Sequence, residues 1–222
     1  MYKKINDCLY SGGNKQKLNF AINFLIAVAA LLLVFEIIFV SNFTGVYIVD
    51  ISMMPTLNGA PDEKSAGGDY LYVSDNAKPT YGDIVVVSRE NNSPLIKRVI
   101  ALGGDSVKLI GGKLYIKYSG TNNFILVEED YINSDYNNPE ANINNYPQIG
   151  GKVLEEGHTV KRDCVFLMGD NRNYSSDSRQ NGDFQEKNIC GVVTGWSLKN
   201  KKFLSSVHQF FSFDLPGAFG LK

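Results

Sequence analysis

Histidine is scarce in this chain: of 222 residues only His158 and His208 are histidine, and neither stands in a motif. A histidine-based catalytic triad and a histidine zinc site are therefore not expected. The three cysteines, Cys8, Cys164 and Cys190, have no metal-ligand spacing. Cys164 and Cys190 each adjoin an apolar run (CVFLM, ICGVV), so small buried thiols are expected in preference to a disulfide. No basic run occurs and the formal net charge is −1, which excludes nucleic acid as an expected partner. Neither a metal nor another cofactor is expected. The length allows an anchor and one domain with a real core, but not two large domains.

Against these shortages stands one long apolar run, Leu18 to Val40, whose 23 residues would span about 34 Å as a helix and so cross a hydrocarbon core of roughly 30 Å. A cleavable signal peptide is the competing reading. It would want small residues just past the run, and Val40-Ser41-Asn42-Phe43 does not supply them. Lys3, Lys4, Lys15 and Lys17 precede the run against Asp7 alone, so the positive-inside rule puts the N-terminus in the cytoplasm and the remainder outside. Glu36, near the outer end, is expected to snorkel to the interface. The expected organisation is a cytoplasmic segment 1–17, a transmembrane helix 18–40 and an extracytoplasmic domain 41–222 on the outer face of the cytoplasmic membrane.

Beyond the anchor the chain reads strand, turn, strand. Tyr and Phe total 25 and Gly 21, a composition that suits a mostly β, turn-rich domain. Strands are expected at Gly45–Val49, Tyr70–Ser74, Asp83–Ser88, Leu95–Ala101, Val165–Met168 and Gly191–Ser197. Val107–Ile110 and Lys113–Tyr118, across Gly111-Gly112, read as a hairpin. The Asn-rich stretch of about 118–151 reads as an inserted, partly irregular hairpin region. The aromatic, amphipathic tail after Lys199 reads either as a membrane-touching segment or as a loose terminus.

Three strings carry the chemistry: SMMPTL (Ser52–Leu57), KRVIALGGDSV (Lys97–Val107) and MGDNRNYSSDSR (Met168–Arg179). Ser52 ends an apolar strand before Pro55, which cannot donate to a sheet ladder, so its hydroxyl falls at the mouth of a cleft. A serine hydroxyl becomes a useful nucleophile only when a neighbouring base takes its proton. Lysine can be that base only when neutral, so its pKa must fall from about 10.4 to about 7–8 by burial. With period two, Lys97 shares a strand face with Leu95 and Val99, and no acid occurs from Asn91 to Gly104. Taken singly, Lys97 reads by default as a solvated edge-strand lysine, Ser52 as a strand-end turn cap, and the third string as a solvent loop.

In this order behind an apolar anchor, the three strings resemble those of the bacterial type I signal peptidase (leader peptidase) family, over roughly Val46–Gly191 plus the anchor. The resemblance implies an anchored, β-rich signal-peptidase-like domain that removes signal peptides from exported preproteins at Ala-x-Ala-like sites. It implies Ser52 as nucleophile, Lys97 as general base and Ser175 as the hydroxyl that orients the lysine. Asp177 and Arg179 would form a structural ion pair near the site, with Arg98 beside it. Ile48, Met53, Leu57 and Ile96 would wall the substrate site. Signal peptides and the lipid bilayer are the implied partners. One departure is Asp50, where many members carry Gly or Ser that helps form the oxyanion hole; its carboxylate is expected to point away, leaving the Ser52 N–H as the main donor. A non-cleaving assembly factor and a self-cleaving repressor relative are the competing functions. The first tends to lose the serine or lysine kept here, and the second lacks an anchor.

Overall fold

The computed structural model describes residues 12–62, 65–89, 92–132, 135 and 156–213. It falls into two units, residues 1–43 and 44–222. In the first, helix α1 runs over Gly12–Val40 and so begins six residues before the expected start at Leu18. Its stretch Lys15–Val40 has a mean hydropathy of 2.7, long and apolar enough to cross a membrane.

The second unit is mostly β, as its alternating pattern predicts. One sheet has seven strands in the order β1-β2-β11-β3-β4-β9-β10, namely β1 Phe43–Tyr47, β2 Tyr70–Ser74, β3 Ile84–Arg89, β4 Asn92–Leu102, β9 Cys164–Met168, β10 Phe184–Gln185 and β11 Ile189–Val193. The second sheet orders β7 (Ile125–Val127), β6 (Lys113–Lys117), β5 (Ser106–Ile110) and β8 (His158–Thr159). The β5–β6 hairpin turns at Gly111 and Gly112, both at positive φ, where a side chain would be strained. Strand β3 is buried over Ile84–Val87 and β9 over its whole length, so both read as continuous apolar runs. Between the sheets pack Ile100, Val107, Leu114, Ile116, Val160 and Phe166.

Four expectations are corrected. The region about 118–151 does not start as a loose excursion: β7 pairs with β6, and Glu129 and Tyr131 are bonded into the fold, while 133–134 and 136–151 lie outside the described residues. Gly195–Lys199 is a short helix, α3, and does not continue β11. Cys190 is exposed where β11 shifts register against β3, whereas Cys164 is buried; neither forms a disulfide. The tail is not loose as far as Phe213. Lys201–Phe213 is a helix (α4), with α2 being the short Ser178–Asn181; 214–222 lie outside the described residues.

Helix α4 docks on β2 through polar contacts. Lys201 Nζ donates to Asp69 Oδ2 (2.8 Å) and Thr56 O (2.7 Å), Ser205 Oγ accepts from Tyr70 N (2.8 Å), and the His208 ring stacks on Tyr70 at 4.2 Å. Phe203, Phe210 and Phe211 face outward. Replacing Lys201 by Met removes a cation from a largely buried carboxylate. It should cost about 1–3 kcal/mol, a fall in Tm of several degrees by thermal denaturation. An unchanged Tm would show that α4 docks without this contact.

Candidate active site

The geometry of β4 sets the site. Its Ile84–Arg98 register with β3 places Lys97 opposite Val85, while β9 joins its other edge only from Arg98 onward. The outer edge of Ser93–Lys97 therefore has no strand partner among the described residues. Pro94 sits on this stretch, and a proline is tolerated where no ladder bond is needed. Facing it, β1 and its continuation run from Thr44 to Asp50. Between them lies a groove of about 710 Å³, with Ile48 and Ile96 in its lining and Ser52 and Lys97 at one end.

Ser52 and Lys97, 45 residues apart in sequence, meet at that end. Lys97 Nζ lies 2.7 Å from Ser52 Oγ, and 2.9 Å from the Ile96 carbonyl to which it also donates. Both residues are buried, at 2% and 1% exposure, which excludes bulk water from the contact. Burial pulls the Lys97 ammonium down from its ordinary 10.5 to about 8, against the opposing pull of Asp177 and Asp50. The Ser52 backbone N–H has no acceptor among the described residues.

The third string forms the turn behind the serine. Asn171 N–H donates to Ser52 O (3.0 Å) and Asn171 Nδ2 to Ile51 O (3.2 Å). Gly169 is required here: a Cβ would come within 2.4 Å of Ser52 O and 2.3 Å of Ser175 Oγ. Asp177, fully buried, accepts from Gly169 N (2.9 Å), Ser175 Oγ (2.7 Å), and both Arg179 Nε and a terminal nitrogen (2.9 Å each). Burial alone would raise its carboxyl, but Arg179 and these donors hold it below the ordinary range. Arg98 grips Asp170 through two bonds of 2.8 and 2.6 Å.

Several sequence-predicted residues stand differently from expectation. The Ser175 hydroxyl donates to Asp177 and not to Lys97, whose own bonds go to Ser52 and Ile96. Met53 and Leu57 are fully buried with Ile48 in the core beneath and do not line the groove. Asp50 is engaged: at φ 88°, a left-handed conformation that favours glycine, its Oδ1 accepts from Ile51 N at 2.7 Å. The missed signals were Arg172, wholly buried against Glu129, and the groove-lining Arg89, Cys190 and His208. A positively charged residue buried to 2% in a motif is the one of these that a sequence could have flagged, since it demands a carboxylate.

The family described as Signal peptidase, peptidase S26, matches residues 19–196. A signal peptidase I of Bacillus amyloliquefaciens is 35% identical over 150 residues, 66% of this chain and 71% of that protein. A signal peptidase I of Streptococcus pneumoniae is 30% identical over 184 residues, 74% of this chain and 85% of that protein. Among solved structures, a signal peptidase I from Enterococcus faecalis V583 has 32% identity and a TM-score of 0.42, covering 53% of this chain and 98% of that one. The chain belongs to the signal peptidase family, peptidase S26, and is a peptide-bond hydrolase of the signal peptidase I type.

Proposed function

We propose that the chain is a membrane-anchored endopeptidase that removes signal peptides, with Ser52 as nucleophile and Lys97 as general base. The observation that carries this reading is the buried 2.7 Å contact between Lys97 Nζ and Ser52 Oγ at the end of a peptide-sized groove. With Lys97 neutral, the same line carries the Ser52 O–H proton to the Nζ lone pair as Oγ attacks the scissile carbonyl. The Ser52 N–H donates to the oxyanion. Lys97 then returns the proton to the leaving amine, and the acyl-enzyme is opened by water activated by the same lysine. The preprotein lies extended in the groove and adds a strand to the open Ser93–Lys97 edge. Ile48 and Ile96 narrow the walls toward small side chains, which supports Ala-x-Ala-like sites. Helix α1 anchors the enzyme, with Lys15 and Lys17 on the cytoplasmic side and the domain on the outer face. Asp177 and Arg179 hold the third string in place, and Ser175 acts through Asp177.

Ser52→Ala and Lys97→Ala should each lower kcat/KM on a preprotein by more than about 10³-fold, and the double variant should be no worse, because the pair acts as one unit. Steady-state assays of the detergent-solubilised protein decide this; substantial activity in Lys97→Ala would require another base.

The pH dependence follows from burial. Neutral Lys97 is the active form, so kcat/KM should rise with pH through an apparent pKa near 8 and then level off. A rate that still climbs steeply at about pH 10 would mean a solvated lysine.

Asp50 combines a strained φ with a local cap, and its charge holds the Lys97 pKa up. Asp50→Gly relieves the backbone, removes the charge and loses one acceptor. The apparent pKa of kcat/KM should move down, with the rate near pH 7 equal or higher. A large loss of rate without loss of Tm would make the Ile51 cap the essential contribution.

A further inference from the structure

The turn that holds the serine is also gripped by one short segment after β7. Arg172, fully buried, donates from Nε to Gly169 O at 3.0 Å. Its two terminal nitrogens grip both carboxylate oxygens of Glu129, Nη1 to Oε2 at 2.8 Å and Nη2 to Oε1. Two residues on, Tyr131 donates its hydroxyl to Glu129 and lies with its ring 4.0 Å from the Arg98 guanidinium, the partner of Asp170. Thus Glu129 and Tyr131, just past β7 on the second sheet, cover two of the three arginines that bind the turn Gly169–Arg172, Arg172 and Arg98, while Arg179 donates to Arg172 O at 3.0 Å.

We propose that Glu129, supported by Tyr131, is a positioning residue for Ser52. The path is short. Glu129 fixes the Arg172 guanidinium, and Arg172 Nε fixes Gly169 O. Gly169 packs against the Ser52 carbonyl, and Asn171, between the two, donates to that carbonyl at 3.0 Å. A carboxylate is needed because Arg172 is fully buried and its planar fork is satisfied by two parallel bonds. Tyr131 orients the carboxylate and stacks on the second arginine, so that the segment clamps the turn at two points. Without the clamp the turn is free to settle elsewhere, and Ser52 shifts relative to Lys97. The inference rests on the reading of Ser52 and Lys97 as the reacting pair.

The test separates position from mere stability. In the full-length solubilised protein, kcat, KM, Tm and the pH profile are measured for Glu129→Gln, Tyr131→Phe and the double variant Glu129→Leu with Arg172→Met. Glu129→Gln, nearly isosteric, should lower kcat about tenfold at temperatures well below its Tm, leave KM within about twofold and leave the apparent pKa in place, because a misplaced nucleophile loses rate and not binding. Tyr131→Phe should lower kcat less, in the same pattern. The double variant removes the buried charge together with its partner and should recover Tm but not kcat, since Gly169 O has lost its Nε donor. Parental kcat in a folded Glu129→Gln, or a double variant that recovers both Tm and kcat, would overturn the proposal and leave the clamp purely structural. If Glu129→Gln does not fold, the double variant decides alone. Retained cleavage in Ser52→Ala would instead overturn the dyad reading, whatever the Glu129 variants do.

Discussion

The burial of one lysine is the constraint on which this domain turns. A lysine at 1% exposure is an expensive core residue, and lowering its pKa from 10.5 to about 8 corresponds to about 3 kcal/mol of disfavoured charge. That is a sizeable part of the stability of a typical domain. The cost is concentrated below the folded pKa, where Lys97 is charged in both the native and unfolded states, and it fades as pH rises toward 10.5 and the unfolded lysine also loses its proton. The fold carries it through the continuous apolar strands β3 and β9, and through a sheet that flanks β4 on one side while leaving Ser93–Lys97 open on the other.

Charge around the lysine is managed rather than avoided. Asp177 would raise the Lys97 pKa strongly if left bare, but it is engaged by Arg179, Ser175 and Gly169 N, which absorb its charge locally. Arg98–Asp170 and Arg172–Glu129 do the same for the other charges of the turn. The polar string that resembled a solvent loop is thus among the most buried parts of the molecule. Its ions are paired within the fold, as the desolvation cost of a lone buried charge requires.

Much of the fold was legible in the sequence, because period-two alternation and glycine turns are local signals. Strand β2 falls at its expected residues, and the β5–β6 hairpin turns at the expected Gly111-Gly112. Where a polar contact decided the outcome, the local pattern was silent. Helix α4 shows an amphipathic pattern, but its docking depends on Asp69, 132 residues away from Lys201. The partner of Arg172 lies 43 residues earlier, in a stretch whose Asn-rich continuation concealed it. The resemblance points Ser175 at the lysine, whereas its hydroxyl donates to the carboxylate of Asp177, two positions on. The left-handed backbone at Asp50, which favours glycine, is a property of the turn that the side chain does not reveal.

The most direct measurement is the titration of Lys97 itself. The protein labelled with 13C at lysine Cε, compared with its Lys97→Met variant to assign the resonance, reports the ionisation without reference to turnover. A midpoint near 8 for that resonance, well separated from the solvated lysines near 10.5, is the expected result. A midpoint within the range of ordinary surface lysines would contradict the account, because Lys97 would then be charged at the pH where it is needed as a base.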